Sequence, residues 1–327
     1  VPNASTSAFG EVFGDLTVTT ARAINPETNF HDNVSQHVAL YRELNARGRK
    51  RMDDGGLEIR EDLDFTENPT YTRYSGDQPL NLTRHFPLTA AVYPYRSIAM
   101  HIMYTGEEMS DNSGAARIKN LVKSRVTNGY RSFRNQLSRD CYSLGTLENQ
   151  IGGMQFLISD TGGGIVGGID SGTWSVWKNY VHDLSALGIT PSATNWENDV
   201  MLPVWMNTHR GDDEAMMWVM ANDYYKFFEG SQTSFKRYAP DDDGAAGFTK
   251  MLYKGARVYH DTGGSGIPAS RAYALNLDYL ALVARTGRDV TVQDEKESFN
   301  QDLCAIPIFF RGNLVCSNRS LQAVILP

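Results

Sequence analysis

Cysteine is scarce in this chain: 327 residues hold three, Cys141, Cys304 and Cys316, far apart in sequence. So sparse and odd a set excludes a disulfide scaffold and fits a reducing compartment with free, buried thiols. Long apolar runs are missing too. No stretch reaches the roughly 18 consecutive apolar residues that a spanning helix needs, so no membrane partner is expected. Basic excess is absent: 31 Lys and Arg face 38 Asp and Glu, a net charge of −7. That balance argues against a dedicated nucleic-acid-binding domain, although a local patch can differ. Metal-ligand spacing is absent as well. The histidines His31, His37, His85, His101, His182, His209 and His260 form no His-x-x-x-His pair, and there is no Cys-x-x-Cys. Asp241-Asp242-Asp243-Gly244 lacks the alternating ligands and closing Glu of a calcium loop and reads as an acidic loop tip. Nothing local activates Cys316 as a nucleophile. No catalytic residue, cofactor site or metal site is therefore expected. Val1 to Ser7 has neither the basic nor the apolar region of a secretion signal, so no retained signal is expected. The missing initiator Met fits Met removal or trimming of a longer precursor.

What is present is the composition of an ordinary globular protein, 41% hydrophobic and 21% charged, long enough for one elaborate domain or two. Residues 1–31 are polar with scattered apolar side chains and read as an extended arm. Asp32 or Asn33 can cap a short helix with Val34, Val38, Tyr41 and Leu44 on one stripe, ended by the basic cluster 47–51. From Asp53 to Phe86 the pattern predicts a long, irregular two-stranded hairpin turning at Thr66-Glu67-Asn68-Pro69, with Tyr71, Tyr74, Leu80 and Leu82 beyond the turn. Such a hairpin has no core of its own, and its exposed edge invites pairing with another chain. An active-site lid or an ordinary surface hairpin would read the same way.

Strand-like residues fill 88–105. A helix over about 113–144 follows, with Ile118, Leu121, Val122, Val126, Tyr130, Phe133, Leu137, Cys141 and Leu144 on its apolar stripe. It would run about 45 Å, with Gly129 its weak point. Its other face carries Arg117, Lys119, Lys123, Arg125, Arg131, Arg134 and Arg139, and no acid before Asp140. That face suits packaged phosphate charge, and equally solvent or a neighbour's carboxylates. Residues 147–285 mix short strands, helices and Gly-rich turns around Trp205, Met206, Met216, Met217, Trp218, Val219 and Met220, an α+β core. The C-terminus reads as two apolar strands, with Leu314 and Val315 in one and Leu321, Val324, Ile325 and Leu326 in the other. The polar turn 317–320 separates them.

Two motifs invite an enzyme. Asp160-Thr161-Gly162 and Asp261-Thr262-Gly263 are the triplet of pepsin-like aspartic proteases, whose paired carboxylates share a proton. The 101-residue spacing is too short for two lobes, and Arg257 and His260 stand where a buried strand should lead into the second triplet. Gly162-Gly163-Gly164-Ile165-Val166-Gly167 fits Gly-x-Gly-x-x-Gly, but no helix opens from it, so a flexible Gly-rich loop is the better account.

Four blocks carry a resemblance. Gly312-Asn313-Leu314-Val315-Cys316-Ser317-Asn318-Arg319-Ser320-Leu321-Gln322 is similar to the closing Gly-Asn-x-x-Cys-Ser-Asn-Arg-x-Leu-Gln run of one family of tailed-bacteriophage major capsid proteins, which have the Hong Kong 97-like fold. Gly167-Gly168-Ile169-Asp170 with Trp177 and Asn179, then Asn222-Asp223-Tyr224-Tyr225, then Leu275 to Leu280, resemble the same family in the same order. The first third matches in layout rather than in letters. The resemblance implies an α+β subunit: an N-terminal arm (1–52), an extended β-hairpin loop (53–86), a peripheral domain with the long spine helix (87–146 and 286–308), and an axial domain (147–285 and 309–327). It further implies a non-enzymatic coat protein whose hexamers and pentamers close an icosahedral shell. Implied partners are further copies of itself, a scaffold, a portal, cement proteins in some relatives, and packaged double-stranded DNA held non-specifically. The implied location is the virion capsid, assembled in the host bacterial cytoplasm. Two alternatives stay open: a soluble enzyme using Asp160 and Asp261, and an encapsulin-like cellular compartment of the same fold.

Overall fold

The computed structural model describes residues 39–111, 115–232, 251–261, 266–297 and 299–327, with backbone alone at 109, 111 and 115–123. The arm, both candidate caps at Asp32 and Asn33, Val34, Val38, His31, His37 and the 241–244 loop lie outside these residues. The chain divides into two compact units.

One unit comprises Ser97–Leu137 and Gly287–Arg311. Alternating exposure along Arg96–Thr105 is the period-2 signature of a half-covered strand, and it pairs with Leu303–Cys316. Short strands Thr291–Val292 and Lys296–Glu297 pair antiparallel with that same strand, Thr291 facing Phe309 and Glu297 facing Cys304. The long helix spans Ala115–Asp140, 26 residues and about 39 Å. Phe133, Leu137 and, just past its end, Cys141 are buried as the stripe predicts. Tyr130 is partly exposed, and Leu144 lies beyond the helix and half in solvent. Ile118, Leu121 and Val122 have no described side chains. The helix runs unbroken through Gly129. A Cβ there would come within 2.6 Å of Ile102 Cδ1, so the missing side chain lets the helix approach the Arg96–Thr105 strand closely.

The other unit holds Ser138–Thr286, Gly312–Pro327 and the described residues up to Arg96. Its centre is a six-stranded mixed sheet in the order Tyr180–Asp183, Ala323–Leu326, Ala272–Leu275, Met217–Ala221, Ala256–Asp261, Leu252–Tyr253. Every residue of Met217–Ala221 is buried, as befits a central strand covered on both faces. Trp196, Trp218, Met220 and Phe228 fill the core beside it, Trp196 lying 4.8 Å from the Tyr224 ring. Trp205, by contrast, is only partly buried and Met206 is exposed.

A second set of pairings joins Leu280–Arg285 to the end of the Leu303–Cys316 strand. On its other side lies Lys50–Asp53, in parallel. The basic cluster is therefore partly a strand rather than only a helix end. Its charges are matched: Arg49 pairs with Asp278 and Arg51 with Glu61. The helix before it is Ala39–Ala46, with Leu40 and Leu44 buried.

One glycine fixes the turn after the long helix. A Cβ on Gly153 would stand 2.5 Å from both Asp140 O and Ser143 N and 2.6 Å from Cys141 O, all backbone atoms. Nothing flexible can yield there. Gly153→Ala is expected to lower stability by about 3 kcal/mol, read as a fall in the denaturation midpoint at unchanged slope.

Candidate functional site

Among the described residues, the hairpin holds the longest run of exposed large apolar side chains. Glu58–Asp64 pairs antiparallel with Leu88–Pro94, Ile59 opposite Tyr93 and Asp64 opposite Leu88. The return strand is thus 88–94, not 71–82: the turn signal at 66–69 opens a 23-residue irregular loop, 65–87, instead of closing a tight one. Asn68, Pro69 and Gly76 break the alternation that a strand would need. Local bonds hold the loop's shape, Thr70 donating to Asn68 Oδ1 at 3.0 Å and Thr83 to Asn81 Oδ1 at 3.0 Å.

Its apolar side chains face outward. Tyr71 is 81% exposed and Leu82 91%, and Leu57, Tyr74, Leu80, Phe86 and Leu88 are all more than half exposed. Single exposed apolar residues are ordinary; seven on one hairpin mark a contact surface.

The base of this hairpin is held by the motif residues. Gly167 and Gly168, at φ +60° and +76°, form the two-residue turn between the strands Ile165–Val166 and Ile169–Asp170. Two left-handed residues are what a tight twisted hairpin turn requires. The Gly-x-Gly-x-x-Gly run thus passes from a turn at Gly162–Gly164 into a miniature hairpin, its last glycine opening the hairpin turn. It packs tightly: a Cβ on Gly167 would come within 2.8 Å of Ala91 Cβ and 3.2 Å of the Tyr93 ring. Val92 N donates to Gly167 O at 2.9 Å, and Tyr93 Oη donates to Cys316 O at 2.7 Å. Phe65 stacks on Trp174 and meets Trp177 edge-on, both centroids at 5.6 Å, and Trp177 Nε1 donates to Val166 O at 3.0 Å.

At the centre sits Arg319, which the sequence placed in a polar turn and which is fully buried. Its Nε donates to Leu157 O (2.7 Å), Nη1 to Trp177 O (3.0 Å), and Nη2 to Asn179 Oδ1 (2.8 Å) and Gly163 O (3.3 Å). Burial lowers its pKa from the ordinary value, yet an arginine keeps its proton. Asn179 also accepts from Ser159 N, and Gln322 pairs both ways with the Asn276 backbone at 3.0 Å. Asn313 Nδ2 donates to Pro94 O at 2.9 Å, at the hairpin's return end. Three of the four blocks singled out by wording thus converge on one buried network; Asn222–Tyr225 lies apart, Asp223 accepting from Ser270 and Tyr224 packing on Trp196. Tyr93 and Phe65 carried no such signal, since a tyrosine or phenylalanine in a strand pattern looks the same wherever it packs.

The other candidates are spoken for. Asp160 is forked by Arg271, and Asp261, buried, accepts from Ala39 N and the Tyr142 hydroxyl. Burial raises the Asp261 carboxyl, and Tyr142 sits well above its usual range, chiefly through burial and then the adjacent Asp261 charge. Each aspartate has its own partner, where a protease dyad needs the two to share one proton. Cys141 and Cys316 are buried thiols pushed up to about 12, while Cys304 is only half-buried. On the basic helix face, Arg125 is engaged by Glu108, with Nη1–Oε2 at 2.7 Å and Nη2–Oε1 at 2.6 Å, and also bonds Met103 O. The side chains of Arg117, Lys119 and Lys123 lie outside the described residues.

His182 shows how the C-terminal strand is held. It lies opposite Ile325, and its Nε2 is 3.1 Å from Asp199 O, an acceptor only, so that nitrogen carries the proton. Burial lowers its pKa from 6.5. The folded state thus binds the proton less tightly than the unfolded chain. Its stabilisation is whole above about pH 6.5 and is lost as pH falls through the folded value. His182→Gln is expected to flatten the decline in unfolding free energy between pH 7.5 and pH 5, read by denaturation at both.

No family model matches the sequence, and no curated protein matches it. Solved structures do. The capsid asymmetric unit of cyanophage A-1(L) is 13% identical with a TM-score of 0.61, over 93% of this chain and 96% of that one. The capsid of an empty GTA particle is 12% identical with a TM-score of 0.57, over 94% and 97%. The capsid of the myovirus XM1 is 11% identical with a TM-score of 0.53, over 92% and 95%. At such identities the likeness is one of fold, and the fold is the mixed helix-and-sheet Hong Kong 97-like capsid fold.

Proposed function

We propose that this chain is the major capsid subunit of a tailed phage and works by assembly, not catalysis. The observation that carries this reading is the likeness to capsid subunits across more than nine-tenths of both chains. The hairpin supports it independently: a firmly held base presents an apolar loop that none of the other described residues covers. On this reading Ser97–Leu137 with Gly287–Arg311 is the core of the peripheral domain, expected at 87–146 and 286–308. The sheet of Tyr180–Asp183 and its neighbours belongs to the axial domain, expected at 147–285 and 309–327. Residues 1–52 are the arm, and 53–86, continued by Leu88–Pro94, is the extended loop. Arm and hairpin are donated to neighbours, so that individually modest contacts add up through multivalency in hexamers and pentamers. A scaffold and a portal act during assembly in the host bacterial cytoplasm, and the mature shell holds double-stranded DNA non-specifically. Asp160 and Asp261 serve as structural groups.

Electron microscopy of the purified, gently concentrated protein at neutral pH, with sedimentation velocity, tests this. Icosahedral shells or hexamer rings are expected. A compact monomer or dimer under every condition would overturn the reading. Protein cargo in place of nuclease-protected DNA would move the chain to an encapsulin-like compartment.

A further inference from the structure

We infer that Asp261 is a positioning residue for assembly: it fixes the register of the helix Ala39–Ala46, and so the direction in which residues 1–38 join the subunit. The inference rests on the shell-subunit reading and gives a role to the one Asp-Thr-Gly aspartate that is buried. On the strand Ala256–Asp261, Ala256 and Val258 face the core, and the His260 ring lies 4.8 Å from that of Tyr225. By the period of two, Arg257, Tyr259 and Asp261 share the other side. The helix is held there at two points. Asp261 Oδ1 accepts from Ala39 N at 3.3 Å. Glu43 Oε1 accepts from Tyr259 Oη at 2.7 Å and from Arg257 Nη1 at 3.3 Å, and the Arg42 guanidinium sits 5.2 Å from the Tyr259 ring.

The two spacings agree. From Ala39 to Glu43 a helix rises about 6 Å, and from Asp261 to Tyr259 a strand covers about 6.7 Å. Helix and strand therefore run in opposite directions and meet at both points in a single register. Leu40 and Leu44, both buried, supply attraction without register, because hydrophobic burial is non-directional. The polar points supply the register. Asp261 acts at the helix's first residue, whose N–H has no acceptor within the helix, and its carboxylate meets the positive end of the helix dipole. Its second oxygen takes the Tyr142 hydroxyl, which holds the carboxylate in one orientation. Losing this cap frees the first turn, to which residues 1–38 are attached, while Glu43 and Leu44 keep the rest of the helix seated.

Substitutions in the full chain separate positioning from plain stability. Asp261→Leu with Tyr142→Phe removes the cap and replaces both polar partners by apolar groups of similar shape. Tyr142→Phe alone keeps the cap. Asp261→Asn keeps it too, its oxygen accepting from Ala39 N while its amide donates to the Tyr142 oxygen. The double variant is expected to be cut by trypsin after Arg42 at least tenfold faster than the parent, because its first turn opens locally. Its yield of shells is expected to fall at least fivefold. Tyr142→Phe and Asp261→Asn are expected to stay within twofold of the parent in both readouts. Asp261→Ala, which leaves room for water, covers failure of the double variant to fold. A folded capless variant with parent-like cleavage, or one cleaved faster that still yields parent-like shells, would overturn the inference. An equal loss of shells in Tyr142→Phe would overturn it as well, since that marks a general loss of stability. In each of these cases the parent still forms shells and the shell-subunit reading survives. A parent chain that forms no shells removes both that reading and this role in assembly.

Discussion

Arg319→Ala is expected to lose at least about 4 kcal/mol of unfolding free energy, a large share of the roughly 5–15 kcal/mol that stabilises an ordinary domain. The physical reason is a mismatch created in one step. Two buried acceptors, Leu157 O and Trp177 O, take their side-chain donor from this guanidinium, while Gly163 O and Asn179 Oδ1 share it with Ser159. Each buried acceptor left without a donor costs roughly 1–3 kcal/mol, and relaxation recovers only part of the sum. Arg319→Lys is expected to lose at least half as much, because an ammonium has no planar fork to span separated carbonyls. Trp177, 1% exposed and bonded to this arginine through its carbonyl, reports the change in guanidinium-induced unfolding followed by fluorescence. An Arg319→Met variant within about 1 kcal/mol of the parent would show that water can replace the guanidinium, and the network would lose its claim to hold the hairpin base.

That arginine also shows where sequence reading reached its limit. The two C-terminal strands are legible because Leu314, Val315, Val324 and Ile325 are apolar and near turn residues. The structure buries all four, although the first strand starts as early as Leu303. A charged residue between Asn318 and Ser320 carries the local signal of an exposed turn. Its burial depends on carbonyls 140 to 162 positions away, which no local pattern encodes. Only the resemblance of wording marked it, without saying why. The long helix was legible in its second half, where Phe133 and Leu137 recur on one face and are buried. At Gly129 helix propensity counts a loss, but the reason for a glycine there, close packing on Ile102, 27 residues back, has no local signal. The hairpin's existence was legible from alternation at Leu57 and Ile59. Its return strand was not, because Tyr71, Tyr74, Leu80 and Leu82 are as apolar as strand residues normally are. Side chains that a subunit leaves for a neighbour carry the same hydrophobic signal as side chains it buries itself.

Those exposed side chains carry the other large effect. Replacing residues 66–86 by Asn-Gly is expected to leave a folded, soluble subunit that forms no shells at any concentration tried. The fold should survive because the loop contributes little to it. Its side-chain hydrogen bonds close within itself, Thr66 to His85, Asn68 to Thr70, Gln78 to Ser75 and Asn81 to Thr83. The last backbone bond before the cut, Phe65 N to Pro87 O at 3.1 Å, stays in place, and Asn-Gly suits a tight turn between paired strands. Phe65 keeps its stacking on Trp174, so the neck should keep its shape. Assembly should fail because Tyr71, Tyr74, Leu80, Leu82 and Phe86 all leave with the loop. Burying one side chain of that size is worth about 1.5–3 kcal/mol, repeated at every subunit of a ring. On the proposed reading each subunit both gives a loop and receives one, so loss of several such contacts around a closed ring compounds. Sedimentation velocity and electron microscopy separate the outcomes. A single slow boundary with a parent-like melting curve is the expected result. Shells formed by the shortened chain would show that assembly runs through other surfaces, and the exposed loop would then need a different partner.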